Sequence, residues 1–320
     1  MFEYMNYIYE VYRSGSFSKA ARNLFISQPA LSASIRKAEE KLGFQIFNRQ
    51  TNPLSLTEQG TIYIDSIMKI LEIESNTNDR LLELSNLQYG YLNLGGTNFF
   101  ASCMLPLIIG PFSEQFPKIT LQITEQDSVS LYRSHVDNDV DLIMDAGVCD
   151  TTQFEIIPLI NEHILLGVPR NNPVNSLLSR YQLSASDVLA KKHLDDSVPT
   201  PPLHTFQGQK MLLLNKHHDL HTRSMSICRD AGFLPTDIMY LNQLMTAYNF
   251  ALYGIGIAFI TDTVVYLSKR RDELLYYRFD HSQAKRLCFL AHRRIHSRTK
   301  AMEKFIETAQ SVITEDRLVP

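Results

Sequence analysis

The chain has 320 residues and a formal net charge of −3, with 44% hydrophobic and 20% charged side chains, an ordinary balance for a globular protein. That length holds two or three domains with proper cores, and the charge excludes a uniformly basic nucleic-acid coat. Glu3, Glu10, Arg13 and Lys19 interrupt the start of the chain, so neither an export signal nor a membrane span is expected and the chain is expected to stay in the cytoplasm.

The first predicted elements are two short helices joined by a tight turn. Ser16 can cap a helix carrying Ala20, Ala21 and Leu24, whose small residues suit a close helix crossing. Phe25 and Ile26 form the turn. Ser27 then caps a second helix, with Pro29 in its first turn, where a missing N–H costs little. Leu31, Ile35, Ala38 and Leu42 recur at steps of four, three and four, which is one buried stripe of a 3.6-residue helix. At about 100° per residue the opposite face carries Pro29, Ser32, Ala33, Arg36 and Glu40, with Gln28 at the leading tip. A helix start attracts a phosphate, Gln28 suits adenine N6 and N7, and Arg36 suits a guanine or a phosphate. Residues 1–60 carry seven Lys and Arg against five Glu, a mild local excess that fits a specific reader.

From Thr57 to about Gln88 there is no proline, and Tyr63, Ile67, Ile70, Glu74, Thr77, Leu81 and Leu84 form a heptad seam with a polar centre. This predicts a long helix that pairs with a second copy; the bland reading is an amphipathic helix packed on its own domain. Beyond it the pattern becomes α/β. Expected strands are Tyr91–Leu94 (with Gly95-Gly96 as a turn), Thr120–Glu125, Asp141–Met144, Met211–Leu214, Ile238–Tyr240 and Ile257–Phe259. Helices are expected near Thr97–Phe116 (interrupted around Pro106), Val129–Asn138, His221–Ala231 and Gln243–Tyr253. Two open sheets imply two lobes.

The phrases SFSKAA, SQPALS, KLGFQIF and Asn48-Arg49, followed by LSLTEQG, resemble in order and spacing the winged helix-turn-helix of LysR-type bacterial transcriptional regulators. Ala33 and Ala38 depart from the commonest family pattern, which places arginine and leucine there. LNLGGTN, DLIMDAGV, ICRDAGF and AYNFALYGIGIAFI are similar to the family's effector domain, itself of the periplasmic-binding-protein type. The resemblance implies a helix-turn-helix at 1–58, a dimerising linker helix at 59–89 and a two-lobe α/β effector domain at 90–320. It puts the lobe crossings near Leu159–Ile164 and Asp262–Leu267, giving lobe I as 91–161 and 268–320 and lobe II as 162–267.

Expected DNA-binding residues are Ser27, Gln28, Pro29, Ser32, Arg36 and the wing's Arg49. Expected effector-binding residues, at strand ends facing the interlobe cleft, are Thr97, Asn98, Phe99, Gly147, Asn215 and Thr246. The implied partners are pseudo-palindromic promoter DNA, a small and anionic effector, RNA polymerase, and further copies in a homodimer or homotetramer. No cofactor, metal or catalytic residue is expected. S-x-x-K occurs twice, at Ser16 and Ser34, without its companion motifs. His217, His218 and His221 lack the acidic residue of H-E-x-x-H. The four cysteines are far apart and fit buried thiols better than a redox pair. The alternatives are a solute-binding protein or a metal-dependent enzyme with a helical N-terminal extension, and neither accounts for SQPALS followed by a wing.

Overall fold

In the computed structural model, which describes residues 4–48, 54–83, 90–136, 140–294 and 297–314, Ser16 and Ser27 each start a helix. The chain divides into two units, Met1–Asn86 and Leu87–Pro320.

In the first unit, α1 (Met5–Ser14), α2 (Phe17–Asn23) and α3 (Gln28–Leu42) enclose a core that includes Ile8, Val11, Ala20, Ala21, Leu31, Ile35 and Ala38. The Ser16 hydroxyl accepts from the Lys19 N–H and that of Ser27 from Ala30, so both caps form where the sequence places them. Phe25, at φ 55, takes the left-handed turn between the two helices and is 95% exposed. A short wing follows, in which β1 (Phe47–Asn48) pairs antiparallel with β2 (Ser55–Leu56).

Two contacts fix the wing to the helices. Glu39, 7% exposed on the buried face of α3, accepts from the backbone N–H of Ile46 at 2.8 Å and of Phe47 at 3.3 Å. Thr57 accepts from the Gly60 N–H at 2.9 Å and so caps α4 (Glu58–Glu83). A side chain on Gly60 would stand 2.1 Å from the Ile46 carbonyl oxygen, so only glycine lets this helix pass so close to the wing. The long helix uses the start of its seam at home: Tyr63 and Ile67 are buried in the first unit's own core. Farther on, Ile73, Glu74 and Thr77 are exposed. Leu81's side chain and Leu84 lie outside the described residues.

The second unit contains β3 (Gly90–Gly96), α5 (Leu105–Gln115), β4 (Ile119–Glu125), α6 (Ser128–Val136), β5 (Leu142–Asp145) and the long β6 (Phe154–Pro169). The chain continues through α7 (Val174–Leu177), α8 (Ala185–Leu189), β7 (Met211–Leu214), α9 (Asp219–Asp230), β8 (Ile238–Leu241) and α10 (Leu244–Leu252). It ends with β9 (Ile257–Thr261), α11 (Asp262–Leu267), β10 (Leu274–Tyr277), β11 (Lys285–Arg293) and α12 (Lys300–Val312). Strands run in the order β4-β3-β5-β11-β6-β9-β7-β8, with β10 also on β6. The first half of β6 pairs with β11 and its second half with β9 and β10, so one strand serves both lobes.

Two expectations need correction and a third gains detail. Gly95 and Gly96 lie within β3, paired with Thr124 and Glu125 of β4, and do not form a turn. The helix after Thr97 is interrupted near Pro106 as expected, by a π-helical stretch, Phe100–Met104, that leads into α5 with Pro106 in its first turn. The chain also does not return to lobe I at Asp262–Leu267. Leu274, Tyr276 and Tyr277 are fully buried, and β10 satisfies their backbone by pairing with Leu166–Pro169 in the second sheet. The return therefore falls between Tyr277 and Lys285, which extends lobe II at the expense of lobe I.

Candidate DNA-reading helix and ligand cleft

With Leu31, Ile35 and Ala38 buried, α3 presents its other face to solvent: Gln28, Pro29, Ala33 and Arg36 are exposed and Ser32 is half-buried. Gln28, Ser32 and Arg36 stand four residues apart and so form one row along the helix. Gln28 Nε2 donates to Ser32 Oγ at 3.0 Å, which holds the two polar side chains together at the helix start. Exposed Lys37 and Lys41 continue this helix, and Lys19 and Arg22 are exposed on α2. Arg49 lies outside the described residues.

In the second unit a cleft of about 380 Å³ opens where parallel strands of both lobes end. Thr97, Asn98, Phe99 and Gly147 line it together. Asn215 and Thr246 do not. Asn215 is joined to the cleft through its side-chain amide, which donates to Asn242, and through its carbonyl, which accepts from the His218 N–H, both lining residues. The starts of α6, α9 and α10 also face the space, through Ser128, Asp219 and Leu244, so oriented backbone N–H groups converge there.

The charges of the cleft are mostly committed. Glu125 accepts from Asn98 Nδ2 at 2.9 Å. Asp127 accepts from the Ser130 N–H and hydroxyl, which hold its carboxyl below the usual range. Arg286 donates from Nε to Glu162 Oε2 at 2.8 Å and lies 3.7 Å from Asp219, which Arg223 also holds. Asp145 is the exception. It is 4% exposed, its Oδ1 accepts from the Ala146 N–H, and its Oδ2 has no hydrogen-bond partner. Burial pushes this carboxyl up.

Sequence reasoning misses Arg286, because nothing in its neighbourhood shows that β11 comes beside the cleft. It also treats the histidines only as a metal question. His217 and His218 line the cleft, with burial holding His218 below its ordinary value, while His221 Nδ1 lies 2.8 Å from the Leu214 carbonyl oxygen and ties the end of β7 to α9.

Two family models match the chain: "Bacterial regulatory helix-turn-helix protein, lysR family" over residues 2–61 and "LysR substrate binding domain" over residues 85–313. The chain belongs to the LysR family. It is a LysR-type transcriptional regulator, with a DNA-binding helix-turn-helix followed by an effector-binding domain. It is 26% identical over 275 residues, covering 84% of this chain and 81% of the other, to the uncharacterized HTH-type transcriptional regulator YcgK of Bacillus subtilis. It is 24% identical to the DNA-binding transcriptional dual regulator OxyR of Escherichia coli, over 85% of this chain and 82% of that one. A full-length OxyR variant from Pseudomonas aeruginosa has the same fold, with a TM-score of 0.67 at 20% identity over 96% of this chain and 93% of that one. In this LysR-family chain no described helix is long and apolar enough to cross a membrane.

Proposed function

We propose that this regulator reads double-stranded promoter DNA through Gln28, Ser32 and Arg36, with Ser27 and Pro29 placing the start of α3 against a phosphate. The observation carrying this reading is the exposed polar row on a helix whose opposite face is buried. Two copies pair along the outer part of α4, where Ile73 is 65% exposed, and so present two recognition helices to a pseudo-palindromic site. The protein works in the cytoplasm, where promoters and RNA polymerase are, and catalyses no reaction. Its effector occupies the interlobe cleft and shifts the balance between two arrangements of the assembled dimer or tetramer. The cleft offers Glu125, Asp127, Asp145 and Asp219 together with Arg286, His217, His218 and the converging helix starts, so the effector is a small polar molecule with a hydrogen-bonding group for Asp145 Oδ2.

The test of the reading helix is selection from a library of random duplexes at physiological salt. Enrichment of an interrupted palindrome is expected. On that selected site Gln28→Ala should lose about 1–3 kcal/mol of binding free energy, with little loss on random DNA. An equal loss on both would refute a base contact.

The OxyR relatives raise a peroxide-responsive reading, which Cys149, Cys228 and Cys288 oppose. All four are free; Cys228 and Cys288 are buried, and burial pushes the thiol of Cys228 up to about 12 and that of Cys288 well above its ordinary value. Burial also raises Cys149. Thiols held protonated react slowly with peroxide. Peroxide treatment is therefore expected to leave affinity for the selected site unchanged in an electrophoretic shift assay; a change abolished by replacing cysteines would reverse this conclusion.

A further inference from the structure

A separate polar cluster lies where β6 passes from one sheet to the other. His163 is on β6, Asp262 opens α11, and His193 belongs to the short turn Lys192–Leu194. Asp262 Oδ1 accepts from the His163 N–H at 3.0 Å and the Thr263 N–H at 2.9 Å, which fixes the carboxylate plane. Its Oδ2 is then held 3.2 Å from His163 Nδ1 and 3.0 Å from His193 Nε2. The side chains of His193, Asp262 and His163 are 0%, 3% and 26% exposed. The cluster thus supplies a buried carboxylate. His193 Nδ1 is buried without a hydrogen-bond partner.

We propose that His163, His193 and Asp262 form a binding site for a divalent transition-metal ion, with Zn²⁺ the best match. The three donor atoms lie within 4.8 Å of one another. Around tetrahedral zinc, with bonds of about 2.0–2.2 Å, neighbouring donors stand roughly 3.3 Å apart, so both nitrogen-to-oxygen separations need little adjustment. Two histidines and one carboxylate leave the fourth position open. The Tyr266 hydroxyl lies 3.4 Å from both His193 Nε2 and Asp262 Oδ2, and a cavity of about 20 Å³ beside His163, Asp262 and Tyr266 has room for one water. Lys191 lines the same cavity, and its positive charge makes the site weaker than a closed four-residue zinc site. His163 and His193 also line a larger cavity of about 390 Å³, which gives the ion a way in.

The position gives such an ion a regulatory consequence. Glu162 precedes His163 on β6, and successive strand residues face opposite sides. Glu162 holds the cleft residue Arg286, while His163 holds Asp262. An ion on one face and an effector on the other therefore act on the same strand segment, and each alters affinity for the other if it shifts that segment.

The experiment is a Co²⁺ titration of the full-length protein after dialysis against chelator, read by visible d–d absorption and followed by displacement with Zn²⁺. One tetrahedral Co²⁺ per chain is expected, with affinity falling about tenfold or more in both His163→Gln and Asp262→Asn. Weak octahedral absorption, unchanged affinity in both variants, or a signal lost only on replacing His217 and His218 would overturn the proposal. Melting curves of the metal-free variants confirm that a loss of binding is not a loss of fold.

Discussion

Arg286→Met is expected to lower the stability of the second unit by about 3–5 kcal/mol, because it strands a buried carboxylate. Glu162 is 0% exposed and Arg286 8%, and the two face each other across β6 and β11. The arginine meets Glu162 Oε2 through both Nε and a terminal nitrogen, each at 2.8 Å, and Thr263 donates a hydroxyl to the other oxygen. Methionine fills much of the volume but donates nothing. The penalty is therefore the unpaired charge and not a cavity. Urea unfolding monitors it, and the double variant Arg286→Met with Glu162→Leu should recover most of the loss, since a buried pair replaced by packed apolar groups is often neutral. A single variant as stable as the parent would mean that water reaches Glu162. Because Arg286 also lines the cleft, the double variant separates its structural part from any part in effector response.

Glu39→Ala should cost about 2–4 kcal/mol in the first unit, because it leaves the Ile46 and Phe47 N–H groups buried without this acceptor. Those two groups start the wing, so the substitution should loosen the wing from the reading helix and weaken binding to all DNA sequences. Glu39→Gln retains an acceptor and should keep most of the stability. Thermal and denaturant unfolding of the three proteins, with salt-dependent DNA titrations, gives the answer. Equal stability of the alanine variant would show that the wing is held by its apolar contacts alone.

Much of the first unit is legible in the sequence because its determinants are local. Ser16 and Ser27 satisfy their own helices within three residues, and the stripe from Leu31 to Ala38 is buried by helices close in the chain. The strand ends that bound the cleft are readable for the same reason: an apolar run stops at a polar or small residue, as Met144 does at Asp145. What stays hidden is what the fold brings from far away. Arg286 reaches Glu162 across 124 residues of chain. His163 and Asp262 meet across 99. The second lobe crossing, which the resemblance puts at Asp262–Leu267, is misplaced because nothing local shows that the buried stretch Leu274–Tyr277 pairs with the far half of β6. The heptad seam illustrates an ambiguity of period. Tyr63 and Ile67 satisfy the pattern of a coiled coil, yet their burial is within their own unit. Periodicity reports which face is covered and not what covers it.

The shared strand β6 has one more consequence. Its backbone bonds run to β11 in the first half and to β9 and β10 in the second, so the ladders of both lobes are built on one unbroken strand. Apolar groups of both lobes, such as Leu94 and Leu212, belong to one continuous core. The two lobes thus share a strand and a core, so that any rotation of one against the other must twist a hydrogen-bonded ribbon in place of swinging on an unstructured connector.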